Sequence, residues 1–349
     1  MKKQKINKFY IKLAIILSLT LLILPITQNT IAVSNSEDNF SIIWITDTQY
    51  LSEQYPEDYD NLCEWTVENK EAYNVKMVVH TGDIVNDEGN YTQWLNANHS
   101  MGILLDNNIP YCWNAGNHDY NVTYWIGNQF TSFNPEVMRE KQYWLDDKNE
   151  GMNTAVKFSI DEWDCLIVNI AFNADDSVLS WAENLLDEYP QSHAIVGMHS
   201  YLNKDGKYNN WATNVKDTVL DKHNNVFLTL SAHYYPTSGV WVKVGERDEL
   251  LFNQQDAFDM AGGASARILT FDVNEGTISI KTFLVHSKQY LEDENNNFVL
   301  HTSFWNSSAG KNDNSLLLTM LLIIAITILV IAGFFVKRKR QLKHTKPIK

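Results

Sequence analysis

Short apolar runs, each closed by a polar residue, recur along the chain: residues 40–46 (FSIIWIT), 75–81 (VKMVVHT), 109–115 (IPYCWNA), 193–198 (HAIVGM) and 226–231 (VFLTLS). Their length and their content of Val, Ile and aromatic residues predict buried strands. Between them, residues 60–73, 91–105, 178–188 and 211–220 read as helices, and strands alternating with helices predict an α/β fold. Residues 155–160 and 165–172, joined across the polar Asp161-Glu162, predict a hairpin. Three further runs, 240–244, 266–273 and 277–283, are separated by Gly and Asn turns and predict a second, largely antiparallel sheet region.

The two ends obey other rules. Lys2, Lys3, Lys5 and Lys8 precede an apolar stretch at 13–26 and the small residues Ala32-Val33-Ser34, the order of a secretory signal over residues 1–34. An uncleaved anchor is the alternative. Residues 316–336 are uncharged, and 21 residues at ~1.5 Å each span about 30 Å of hydrocarbon. Lys337-Arg338-Lys339-Arg340 follows at once, so the positive-inside rule predicts a transmembrane helix with residues 337–349 as a basic cytoplasmic tail. That places the remainder outside the cytoplasm: a folded domain at 38–290 and a polar stalk at 291–315.

Charge sharpens this picture. The chain's net −14 includes twelve of its 28 Lys and Arg in the two ends, which leaves 16 basic against 42 acidic residues, about −26, on the external part. Such a field repels nucleic acid, so no nucleic-acid partner is expected, and attraction for an anionic substrate has to be local. Cys63, Cys112 and Cys165 form no paired spacing and predict buried thiols rather than a disulfide framework.

Candidate chemistry lies just past the strands, at Asp47, Asp83, Asn117, His199 and His233. Open α/β sheets gather ligands beyond the carboxyl ends of their strands. Carboxylate, amide oxygen and imidazole are donors for hard and borderline divalent ions, and a pair of ions needs a carboxylate reaching both, for which Asp83 is the candidate. Taken singly, each residue has a plainer role as a helix cap, a turn residue or a core histidine. Only their joint order points to a metal centre.

That order, Gly82-Asp83, Gly116-Asn117-His118-Asp119, His199 and His233, resembles the calcineurin-like metallophosphoesterase superfamily over roughly residues 40–284. The family's blocks read Asp-x-His, Gly-Asp-x-x-Asp, Gly-Asn-His-Asp/Glu, a lone His and Gly-His-x-His. The resemblance implies a four-layer α/β/β/α sandwich and hydrolysis of a phosphate ester by metal-activated hydroxide at two ions, with manganese, iron and zinc all open. It makes Asp83 the bridge and Asn117, His199 and His233 the other donors of one ion. The second ion would fall to Asp83, Asp47, Gln49 and Tyr235, the last two standing where the family has histidines. His118 is implied as the acid that protonates the leaving oxygen. Asn86 stands where some members have an aspartate orienting that histidine, so Asp87 or Asp119 is expected to assist. Phosphomonoesters, phosphodiesters and pyrophosphates all remain open as substrates. A non-catalytic, surface-anchored binding protein on the same scaffold is the rival reading, motivated by Gln49, Tyr235 and Asn86 departing together. Tyr120, Trp113 and Trp125 read as packing, with a pocket wall as the alternative.

Overall fold

A computed structural model describes residues 39–121, 125–161, 163–235, 239–255 and 264–302. The chain divides into a unit of Met1–His301 and a unit of Thr302–Lys349. The expected signal, transmembrane helix and basic tail lie outside the described residues, among which no helix is long and apolar enough to cross a membrane.

In chain order the elements are β1 (Asn39–Ile45), α1 (Gln49–Gln54), α2 (Pro56–Asn69), β2 (Val75–His80), α3 (Tyr91–Asp106), β3 (Tyr111–Trp113), α4 (Pro135–Met138), β4 (Trp144–Lys148), β5 (Asn153–Ile160) and β6 (Trp163–Ile170). There follow α5 (Asp176–Glu188), β7 (His193–Met198), α6 (Asn210–Thr218), β8 (Val226–Ser231), β9 (Val240–Val244), β10 (Arg247–Leu251), β11 (Ser265–Asp272), β12 (Thr277–Leu284), β13 (Gln289–Leu291) and β14 (Asn297–His301). They build two seven-stranded sheets, one ordered β13-β12-β11-β1-β2-β3 with β14 also paired to β12, the other β4-β5-β6-β7-β8-β10-β9.

Strand alternation sorts the layers. Register pairs Phe40 with Phe271 and Phe271 with Ile278, so these share one face of the first sheet, while Phe283 lies on the opposite face. Phe271 meets Phe227 of the second sheet edge-on at 6.4 Å, and Phe40 meets Phe158 at the same distance. On the other face Phe283 stacks on Trp65 of α2 at 4.7 Å. The second sheet is covered by α5, whose buried Val178, Leu179, Ala182, Leu185 and Leu186 recur at helical spacing and pack with Leu166, Val168 and Val196. The Asp175 side chain starts that helix by accepting the Ser177 and Val178 N–H groups at 3.0 and 3.1 Å. The result is helix, sheet, sheet, helix.

Two expectations change. The late antiparallel strands do not form a sheet region of their own: β11 and β12 extend the first sheet from β1, and β9 edges the second beside β10. The reason is burial, since β1 is buried on both faces and needs a partner on its second edge, which the equally buried first half of β11 supplies. Part of the stalk expected at 291–315 belongs instead to the folded unit, because β14 pairs with β12 from Thr277↔His301 to Lys281↔Asn297. Arg267 ties this last strand down. Fully buried over the Phe252 ring at 4.4 Å, its guanidinium donates to the Asn295 carbonyl at 2.6 Å and to Asn296 Oδ1 at 3.0 Å. The three cysteines are free and buried, and burial pushes the thiols of Cys112 and Cys165 up to about 12.

Candidate metal centre

β1, β2 and β3 are parallel neighbours in one sheet, and β7 and β8 in the other. The loops leaving them meet: Asp47 N–H donates to the Gly82 carbonyl at 3.0 Å, Ala232 N–H to the His199 carbonyl at 2.9 Å, and His233 N–H crosses to Asp47 Oδ2 at 3.4 Å. Asp47, Asp83 and His233 hold left-handed backbone at φ 51, 53 and 69°. Such conformations are costly outside glycine and gather at functional sites.

Two glycines allow the β2 and β3 loops to touch. A Cβ on Gly116 would sit 2.2 Å from Asp83 Oδ1 and 2.3 Å from Asp83 N, and Gly82, at φ +91°, faces the Gly116 backbone. Gly116→Ala is therefore expected to cost about 1–3 kcal/mol, as overpacking does, and to push Asp83 out of place. A thermal melt run with metal titration checks it; unchanged stability and affinity would refute the close approach.

Asp83 is the hub. Its Oδ1 accepts the His118 N–H at 3.0 Å, and its Oδ2 lies 3.2 Å from His199 Nε2 and 3.4 Å from Gln49 Nε2. His199 gives its Nδ1 hydrogen to the Thr81 carbonyl at 2.8 Å and turns Nε2 toward Asn117 Oδ1 at 3.1 Å. An imidazole anchored on a carbonyl through one nitrogen presents the other as a metal donor. One donor atom each from Asp83, His199 and His233 lie within 4.8 Å of one another, and the His233 ring is 5.1 Å from that of His199. These donors suit a borderline ion such as zinc or iron.

Electrostatics favour positive charge at this place. Burial works against an imidazolium at His199, yet the carboxylates of Asp83 and Asp47 outweigh it and raise its pKa to about 9. Burial and His199 hold His233 at about 4, neutral and free to ligate. Burial lifts the Asp47 carboxyl to about 7, against the opposing pull of His199. Asp47 Oδ1 and Gln49 Oε1 are buried and lack any hydrogen-bond partner, on residues only 1% and 2% exposed. Two orphaned acceptor oxygens beside an aspartate mark where a cation fits.

One of the expected site residues has a different role. Asp119 is fully buried and its carboxylate accepts three backbone N–H groups, Ile84 at 2.6 Å, Val85 at 2.9 Å and Gly116 at 2.7 Å. It clamps the β2 and β3 loops and does not face substrate or His118. The partner of His118 is instead the Asn86 backbone carbonyl, 2.9 Å from Nδ1, while the Asn86 side chain donates to Glu53. A carbonyl only accepts, so Nδ1 carries hydrogen and Nε2 is left for proton exchange. Tyr235 is 53% exposed, whereas Asp47, Gln49 and Asp83 are buried. What the sequence reading missed is Gln255, whose Oε1 accepts from Gln49 Nε2; the polar Asn253-Gln254-Gln255 just past an unrecognised strand was the available signal.

Comparison with known proteins fits this arrangement. The calcineurin-like phosphoesterase family profile matches residues 40–319. An uncharacterized protein of Bacillus subtilis (strain 168), YvnB, is 27% identical over 277 residues, 74% of this chain, and the match spans only 21% of that protein. A dimetal phosphatase from Danio rerio superimposes with a TM-score of 0.51 at 13% identity, covering 76% of this chain and 99% of its own. A purple acid phosphatase from yellow lupin (Lupinus luteus) seeds gives 0.49 at 11% identity over 75% of this chain and 54% of its own. With a family profile running through every strand-end donor from Asp47 to His233, the chain belongs to the calcineurin-like phosphoesterases.

Proposed function

We propose that the chain is a membrane-anchored, extracytoplasmic hydrolase acting on phosphate esters of uncharged alcohols. The observation that carries the substrate class is a cavity of about 740 Å³ bordering the centre at Asn117 and Phe172. Phe172 also lies 5.4 Å from the His233 ring. Tyr120, Trp125, several asparagines, Glu150 and Asp175 also line it, with Met152 and two alanines, and among the described residues no Lys or Arg does. The Ser177 hydroxyl and the Val178 N–H keep Asp175 below the usual carboxylate range, so this wall is anionic. Amides and aromatic edges suit a neutral, hydroxylated or planar group, whereas a second phosphate would meet carboxylates.

In the mechanism, Asp83, Asn117, His199 and His233 would hold one ion, with Asp47, Gln49 and Asp83 beside the second. Bound metal supplies Lewis-acid charge for the phosphoryl oxygens and acidifies water. The chain's own residues do the rest. Asp119 fixes the two loops that carry Asp83 and Asn117, and Asn86 orients His118 through its carbonyl. Water adds to phosphorus as the ester bond breaks, and His118 Nε2 gives its proton to the departing alkoxide. The carbonyl also weakens the rival reading of a binding protein, because it replaces the orienting aspartate that the sequence lacks.

Elemental analysis of the full chain, followed by para-nitrophenyl phosphate, its bis ester and ATP with manganese, iron and zinc supplied separately, tests the reading. Repulsion of about 1 kcal/mol or more at the wall predicts a preference of roughly fivefold or more for the nitrophenyl esters over ATP. A preference for ATP would overturn the substrate class, and bound metal without turnover on any ester would favour the binding protein. The location rests on the apolar segments at 13–26 and 316–336 and on the basic cluster from Lys337. Protease added to intact cells should remove the domain and spare residues 337–349; a protected domain would refute the orientation.

A further inference from the structure

The first ion's place is nitrogen-rich, whereas the described side chains assigned to the second, Asp47, Gln49 and Asp83, offer oxygen. Gln49 Nε2 lies between Asp83 Oδ2, at 3.4 Å, and Gln255 Oε1, at 2.5 Å. Asp47 commits Oδ2 to the Thr46 hydroxyl at 2.8 Å and leaves Oδ1 without a partner, as Gln49 leaves Oε1. Gln255 is brought here by design of the backbone. β10 runs parallel to β8, so its carboxyl end opens on the same crevice, and the turn beyond it is pinned by Gln255 N–H to Asn253 Oδ1 at 2.9 Å and by Asn253 Nδ2 to the His233 carbonyl at 3.4 Å.

Gln49 thus brings side-chain oxygens of Asp83 and Gln255 to its one amide nitrogen, and Asp47, two residues before it, adds an unpartnered oxygen of its own. An end-for-end turn of the Gln49 amide would exchange that donor for its unpartnered oxygen, and a cation would then reconcile the cluster. We propose that Gln255, from outside the family's sequence blocks, completes an all-oxygen second cation site with Asp47, Gln49 and Asp83, and that this site takes a hard ion such as Mn²⁺ or Mg²⁺ in preference to zinc. It rests on the metal-dependent reading of the centre. Oxygen-only donors discriminate by hardness, so the two halves of the centre sort different ions across one shared carboxylate.

The test uses metal-free full chain given Zn²⁺ and Mn²⁺ together, with elemental analysis for stoichiometry and electron paramagnetic resonance for bound Mn²⁺. Wild type is expected to hold one zinc and one manganese. Gln255→Ala should weaken Mn²⁺ by about tenfold or more while zinc stays, and Gln255→Glu, adding a charged oxygen, should tighten it. Tyr235→Phe should alter neither ion. Two zinc ions with no manganese in wild type, or Mn²⁺ affinity unmoved in both Gln255 variants of native circular dichroism, would overturn the proposal. Failure to bind either metal would instead overturn the metal centre itself, and so the two failures are distinct.

Discussion

Asp83→Ala is expected to empty the centre and abolish turnover. Asp83 is the carboxylate that meets His199, Gln49 and the His118 backbone together, so its loss removes a donor from both places at once. It also leaves His199 without the negative charge that raises its pKa to about 9, and with it the pull on any cation. Metal electrostatics supply several kcal/mol at a phosphoryl transition state; at about 1.36 kcal/mol per decade, the rate should fall on the order of 10³-fold or more. Elemental analysis and ester hydrolysis read the two effects. Retained metal with retained activity would remove Asp83 from its role.

His118→Ala should separate chemistry from binding. The His118 side chain touches the Asn86 carbonyl, whereas its backbone N–H serves Asp83, and the substitution deletes only the first. Metal uptake is expected to stay near wild type while kcat drops by about 10²–10⁴, the usual worth of a positioned acid. The loss should shrink for esters with good leaving groups such as para-nitrophenol, because those depart without a proton. An equal loss on good and poor leaving groups, or metal loss matching that of Asp83→Ala, would assign His118 a structural role instead.

The strand-end donors were legible because each follows an apolar run that has no other period to adopt. β7, β8 and β9 begin and end at the expected residues. β10 was not, and the reason is chemical. Its sequence, Arg247-Asp248-Glu249, looks like a solvated turn, yet all three are buried because each charge is answered: Arg247 by Glu249 at 2.9 Å, Asp248 by Lys243 at 2.9 Å, and Glu249 also by the hydroxyls of Tyr201 and Tyr208. Pairing across distant segments cannot be read from local polarity. Missing β10 hid Gln255, and the slot left by the family's last histidine was then assigned to Tyr235 by position alone. The role of Asp119 was misread for a related reason, since a carboxylate among backbone N–H groups and one facing a substrate look alike in sequence.

Arg267 sets where this unit ends. Its guanidinium takes oxygens from Asn295 and Asn296, which lie between β13 and β14, and the latter strand closes over the same sheet. A chain severed at residue 290 would strand a buried cation over the Phe252 ring with the Asn295 and Asn296 acceptors gone and only the Thr282 hydroxyl left, an outcome that burial penalises heavily. The latch of the catalytic body is thus fastened by the very stretch that its polar composition made look like a tether.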